Sequence, residues 1–354
     1  MFLGRIRGRF LGEYAHHDTV LVSCHSWRQE RRCYLRICHD SPVSLNFACE
    51  NDQGGSTIKR IAVPALVCAL ALATSACFGA PITVPGDHAT IGAAVAAAAG
   101  DVINVSPGTY VENVVVDKSV SIRGVQGAEV TTVTAASSGF LEHVFLVSAS
   151  DVTISGFTIT GATGRWGSAV YIDGFEAEPT PGISDVTISK CILEGNTIGV
   201  TVFWAENSMI VNNTIRHNLW DHYGTGEWYS GLGSGVLVWP YPTSPCPGTQ
   251  ILNNEIYEND EFAVLFLGSG DVSGSRLNGN NLYKNGAYSS EPPGDWNWVE
   301  LAFWSVQGSV KVSGNKILAT ATGWDIWIAG APDVKVVGNP VREDLGPNIP
   351  MPTP

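Results

Sequence analysis

From residue 150 onward one short phrase keeps returning: a brief β-branched run, a polar turn, then a second apolar pair. It reads DVTISGFTI at 151–159, DVTISKCIL at 185–193, SMIVNNTI at 208–215, TQILNNEI at 249–256, SRLNGNNL at 275–282, SVKVSGNKI at 309–317 and DVKVVGNPV at 333–341. A unit this small cannot bury an apolar face alone, so its repetition predicts a solenoid in which neighbouring copies cover one another. Each phrase is followed by a further apolar segment (SAVYID, GVTVFW, GVLVW, AVLFL, ELAFW, DIWIA), which gives three short strands per coil.

Aligning the turn position across the phrases gives Phe157, Lys190, Asn213, Asn254, Asn280, Asn315 and Asn339. Asparagine tolerates left-handed backbone, and its amide can bond the equivalent residue one coil above or below, so this column predicts a structural ladder. The spacings of 33, 23, 41, 26, 35 and 24 residues set the minimum coil near 23. The excess falls in loops after the second strand (161–168, 217–234, 284–297) and after the third (174–184, 240–249). Ahead of the repeats, ATIGAAVAAAAGDVINVSPGTYVENVVVDKSVSIRG (89–124) reads as a small amphipathic helix and strands, a cap over the first coil's open edge.

That TIGAAVAAAAGD…PGTYVENV…SIRG opening, with VTISGFTITG and the N-x-I phrases, resembles the pectate-lyase-like right-handed β-helix proteins over roughly residues 81–342. The resemblance implies an all-β fold, a right-handed single-stranded parallel β-helix (solenoid) with a short N-terminal capping helix. Its members include polysaccharide lyases, glycoside hydrolases, pectin esterases and periplasmic copper-delivery accessory proteins, so it speaks to fold and leaves activity open.

The expected organisation is an upstream extension at 1–57, non-native or disordered, then a signal peptide at 58–76. The cap and first coil follow at 77–118, the β-helix at 119–346 and a Pro-rich tail at 347–354. Lys59 and Arg60, the apolar run Ile61–Ala73 and Thr74-Ser75-Ala76-Cys77 have the charged, apolar and small-residue order of an export signal. The run is short for a membrane anchor. The cleavage zone resembles a bacterial lipobox with Cys77 as the lipidated residue, although Thr74 stands where such boxes usually carry Leu. An exported protein is expected, whether periplasmic, a cell-surface lipoprotein or secreted. A zinc or nucleic-acid module is the alternative for 1–57, and the spacing Cys33-x4-Cys38-His39 is too weak to support it.

Beyond residue 77 the chain holds 11 Lys+Arg against 27 Asp+Glu, a formal charge of −16. Such a surface argues against nucleic acid, and against a membrane except through a lipid anchor. The expected partner is a polysaccharide or other glycan, met by a monomer. Cys191 and Cys246 could form one bridge.

Strand alternation points the Val and Ile of the third strand inward and their neighbours outward. The outward set becomes Tyr171, Asp173, Thr201, Phe203, Leu237, Trp239, Leu265, Leu267, Glu300, Trp304, Asp325 and Trp327. Exposed aromatics in register would make a rail for sugar rings. The flanking loops add Trp220, Asp221, His222 and Trp228. The competing reading is that these aromatics cover one another as a satellite core.

Hydrolysis needs two carboxylates at a set separation. Glu300 and Asp325, on successive coils, are the candidate catalytic pair, with Asp173 and Asp221 in reserve. Elimination needs a base and a group to neutralise a uronate, and with so few cations that points to a possible Ca²⁺. No other metal is indicated: Met209 and Met351 are the only methionines past residue 77 and the histidines are scattered, which disfavours copper. The signatures of polygalacturonases and pectin esterases are missing. The sequence thus predicts a β-helix that binds polysaccharide along an aromatic face and leaves open whether it also cleaves it, as a hydrolase or lyase, the alternative being a non-catalytic envelope scaffold or adhesin.

Overall fold

Segments such as Thr187-Ile188-Ser189 carry one large apolar residue between two small polar ones, which suits a strand that buries one side chain and wets its neighbours. The computed structural model describes residues 81–175, 182–219, 232–286, 299–318 and 324–339, with backbone only at 324 and 325. It also describes the backbone of four strands, Thr19–Ser26, Gln29–Cys38, Ser44–Glu50 and Ser56–Ile61. The chain divides into two units, Met1–Gly79 and Ala80–Pro354. In the first, the four strands pair antiparallel in sequence order. The turn position of every phrase lies in the second.

Each coil of that unit gives one strand to each of three parallel sheets, of ten, eight and eight strands. Equivalent residues stack directly: Ile154, Ile188, Ile210, Ile251, Leu277 and Val312 run down the first sheet. Val133, Ile159, Leu193, Ile215, Ile256, Leu282 and Ile317 do the same in the second. In the third, Val170, Val200, Val236, Val264 and Leu301 point inward, as expected. Nearly all of these are fully buried. At ~1.5–3 kcal/mol for each buried aliphatic side chain, the stacked columns are the main stabilising term.

A helix, Ile91–Ala97, closes the first coil and buries Ile91, Ala94 and Val95. Thr90 caps it through its hydroxyl, which accepts from the Ala93 N–H at 3.1 Å. The Glu112 carboxylate takes the next two open donors, the N–H groups of Ile91 and Gly92, each at 2.9 Å.

The asparagine ladder is present. The backbone N–H and side-chain amide of Asn213 both donate to Oδ1 of Asn254, and the pattern repeats from Asn254 to Asn280, Asn280 to Asn315 and Asn315 to Asn339. Two details of the sequence alignment are corrected. Cys191, not Lys190, occupies the column, because its N–H donates to Oδ1 of Asn213. The left-handed residue is the one before the ladder position, Lys190, Asn212, Asn253, Gly279, Gly314 and Gly338, with φ between 53° and 70°. The two jobs assigned to one asparagine are divided between neighbours.

A second ladder stands at the corner between the second and third sheets. Asn196 donates to Asn218, Asn218 to Asn259 and Asn259 to Asn285, through backbone and side chain alike.

Candidate functional site

The outward face of the third sheet has two rows. The inner row runs Tyr171, Thr201, Leu237, Leu265, Ala302, Trp327. The outer row pairs Asp173 with Phe203, continues at Trp239, and pairs Leu267 with Trp304. Trp327 therefore lies opposite Ala302 and one row away from Trp304, and their rings meet edge to face at 5.4 Å.

From Tyr171 to Ala302 the inner row is core, with Trp327 half-buried at its end, which corrects the expectation of an open rail there. Thr201, Leu237, Leu265 and Ala302 are buried and Tyr171 is 7 % exposed. Ile198, Leu232, Phe262 and Val299 join the leucines in a second hydrophobic cluster, with Trp166, Trp239, Leu267 and Trp327 packed against it. Buried Tyr171 stacks on His143, with ring centroids 4.3 Å apart.

The outer row stays at the surface. Phe203, Trp239 and Trp304 are half-buried and Tyr241 is 41 % exposed. Trp166 reaches from its loop to stack on Trp239 at 4.9 Å and 13°, and Trp239 meets Phe203 at 6.0 Å and Tyr241 at 5.8 Å. Four aromatic rings thus form one continuous patch. Asp173 lies at its end, half-buried, with Oδ1 accepting from the Phe175 N–H at 2.8 Å.

Glu300 departs from the outward position assigned to it: it is 1 % exposed, and its carboxylate accepts from Asn285. The cause is in the register, which aligns Glu300 with Gly235 and Ala263 of the preceding coils. A Cβ at Gly235 would lie 3.0 Å from the Asn259 amide nitrogen, so a side chain at this position points at the second ladder. The carboxylate of Glu300 takes the acceptor place that the next asparagine would hold.

The family model described as "Right handed beta helix region" matches residues 118–317, more than half of the chain. The chain belongs to this right-handed β-helix family. No curated protein matches it. Among solved structures, this β-helix protein is similar to Geobacillus virus E2 ORF18, at 14% identity and a TM-score of 0.46, over 90% of this chain and 63% of that one. It is also similar to the A-module of the Azotobacter vinelandii mannuronan C-5 epimerase AlgE6 (14%, TM-score 0.36, 75% and 85%). A third is an alginate lyase from Paenibacillus sp. (15%, TM-score 0.40, 71% and 94%). The chain thus spans less than two thirds of the first of these structures.

Of the other expected site residues, the side chain of Asp325 lies outside the described residues, although its strand, Trp324–Ala329, pairs beside that of Glu300. Trp220, Asp221, His222, Trp228 and Cys77 also lie outside the described residues, as do the segments 62–76 and 347–354. Cys191 and Cys246 are free and buried, so the bridge between them is not formed, and burial pushes both thiols up to about 11. Among the described residues no group of three or more His, Cys, Asp or Glu is placed to hold a metal ion.

Sequence reasoning missed His143. It is buried, its Nδ1 accepts from the Ser168 N–H at 3.1 Å, and burial lowers its pKa to about 4, so the ring is neutral with its proton on Nε2. It missed the second ladder as well, although the signal was available: Asn196, Asn218, Asn259 and Asn285 each stand five residues after a first-ladder position.

Proposed function

We propose that this β-helix protein is exported and binds polysaccharide along the outer row of its third sheet. The observation that carries this reading is the patch of Trp166, Phe203, Trp239 and Tyr241, four rings in mutual contact on a rigid sheet with one well exposed. Pyranose rings present flat C–H faces to such a surface, and a fixed sheet needs little ordering to receive them. Asp173 beside the patch supplies a hydroxyl acceptor.

Binding is the better-supported half of the proposal. With Glu300 engaged by Asn285, the pair that would have served hydrolysis has lost one member, and cleavage rests on Asp173 and Asp325. A non-catalytic adhesin, which needs no acid pair, is the alternative.

A neutral and acidic polysaccharide array, probed with wild type and with Trp239→Ala, tests the proposal. Losing a stacked aromatic is expected to weaken glycan capture about tenfold. Unchanged capture by Trp239→Ala and by Trp166→Ala would reject the patch as the binding surface. Reducing-sugar and unsaturated-product assays on the captured glycan then decide between cleavage and adhesion.

A further inference from the structure

Charge is sorted by sheet. The third sheet's strands contain Asp173, Glu300 and Asp325 and no Lys or Arg. The second is balanced, with Glu194 and Glu255 against Arg216 and Lys316. The ten strands of the first sheet hold no Asp or Glu at all, and they carry Arg123, Arg276, Lys311 and Lys335. For a chain with 27 acids and 11 bases past residue 77, strands that hold four of those bases and no acid run against composition, with exposed Asp333 standing just before the last of them, two residues from Lys335.

Three of the four are in register on consecutive strands: Arg276 lies opposite Lys311, and Lys311 opposite Lys335. All three are exposed, and among the described residues none pairs with a carboxylate. Asp271, at the corner before Arg276, is turned to Ser273, whose N–H and hydroxyl it accepts. Strands repeat every ~4.8 Å, so the three cations form a straight strip roughly 10 Å long. Like charges placed directly opposite destabilise a sheet. Lysine on a last strand discourages edge pairing, which accounts for Lys335 but not for Arg276 and Lys311 on interior strands.

We propose that Arg276, Lys311 and Lys335 form a docking strip for a linear acidic polysaccharide, one carrying a carboxylate on successive sugars. A single flexible chain can lie along the strip and avoid most of the acidic remainder of the surface, with Asp271 and Asp333 flanking the strand starts. A bilayer or a duplex is too broad to do so and meets net repulsion. Asn278 and Ser313, joined by a 3.1 Å hydrogen bond in the adjacent outward row, offer hydroxyl and amide partners beside the cations. The strip is on a different sheet from the aromatic patch and does not depend on it.

Polygalacturonate binding by isothermal titration is compared for wild type, the triple variant Arg276→Gln/Lys311→Gln/Lys335→Gln, and Trp239→Ala, with thermal melts confirming the fold. Wild type is expected to bind, the triple variant to bind about tenfold more weakly or worse, and the difference to shrink as salt is raised. Capture of neutral glycans by the triple variant should stay unchanged, while Trp239→Ala reports on the aromatic patch alone. The strip is refuted if wild type ignores polygalacturonate, if the triple variant binds it equally well, or if single-stranded oligothymidylate or phosphatidylserine vesicles bind as tightly.

Discussion

Asn285 gives its backbone N–H to Oε1 of Glu300 at 3.2 Å and its side-chain amide to Oε2 at 2.5 Å, so a ladder of amides ends on a carboxylate. Glu300→Ala would remove both carboxylate oxygens that Asn285 donates to, leaving its amide the Ile256 and Tyr283 carbonyls and its backbone N–H unsatisfied. It is expected to cost about 2–3 kcal/mol, read from urea unfolding. Glu300→Gln keeps one acceptor oxygen and should cost less. If glycan cleavage is found, Glu300→Gln should retain it. Complete loss of turnover in a folded Glu300→Gln protein would contradict the ladder role.

The first ladder can be lengthened. Cys191 occupies its next position, and the Phe157 N–H, which an asparagine oxygen there would engage, meets the Cys191 sulfur, a weaker acceptor. Cys191→Asn is expected to raise stability by about 1 kcal/mol, whereas Asn254→Ala, in mid-ladder, should lower it by about 3. Chemical denaturation of the two variants beside wild type checks both signs.

His143 makes stability sensitive to acid. Its folded pKa is about 4 and its unfolded value about 6.5, so the unfolded chain binds a proton first as pH falls. This contribution is constant above pH 6.5, is lost between 6.5 and 4, and amounts to about 3 kcal/mol. In His143→Gln, whose amide oxygen can still accept from Ser168, the decline over that window should flatten. Parallel curves for the two proteins would disprove the assignment.

Buried thiols held near 11 are poor nucleophiles. Iodoacetamide at pH 8 should leave Cys191 and Cys246 unlabelled in the native protein and label both in urea, as peptide mass spectrometry would show.

Export with processing at Cys77 predicts a mature chain that starts at that residue and carries lipid. Intact-mass measurement of the protein from membrane and soluble fractions tests this, and an N-terminus upstream of residue 58 would overturn it.

The fold was legible because its signal is repetitive: the same apolar pair and turn recur seven times, and each copy reinforces the others. Inward columns followed from strand alternation alone. The outer surface was harder to read. The period of two fails where the third strand begins: Ile198 and Val299 pack outside while Val200 and Leu301, two residues on, point inside, so the position between them faces neither simple side. Glu300 sits at that break, and pattern reasoning sent it outward. Tyr171 was placed on the correct face, but which outward residues are covered depends on loops that carry no period. His143 had no motif to announce it, since its role comes from one backbone N–H supplied a coil later.

The two ladders make each coil answer only to the coil before and the coil after it. A β-helix built this way can gain or lose a whole turn by gene duplication or deletion without changing any surviving contact beyond the junction. The corner segments can lengthen freely while the spine keeps its register. Such a scaffold lets the reach of its surfaces evolve separately from their chemistry.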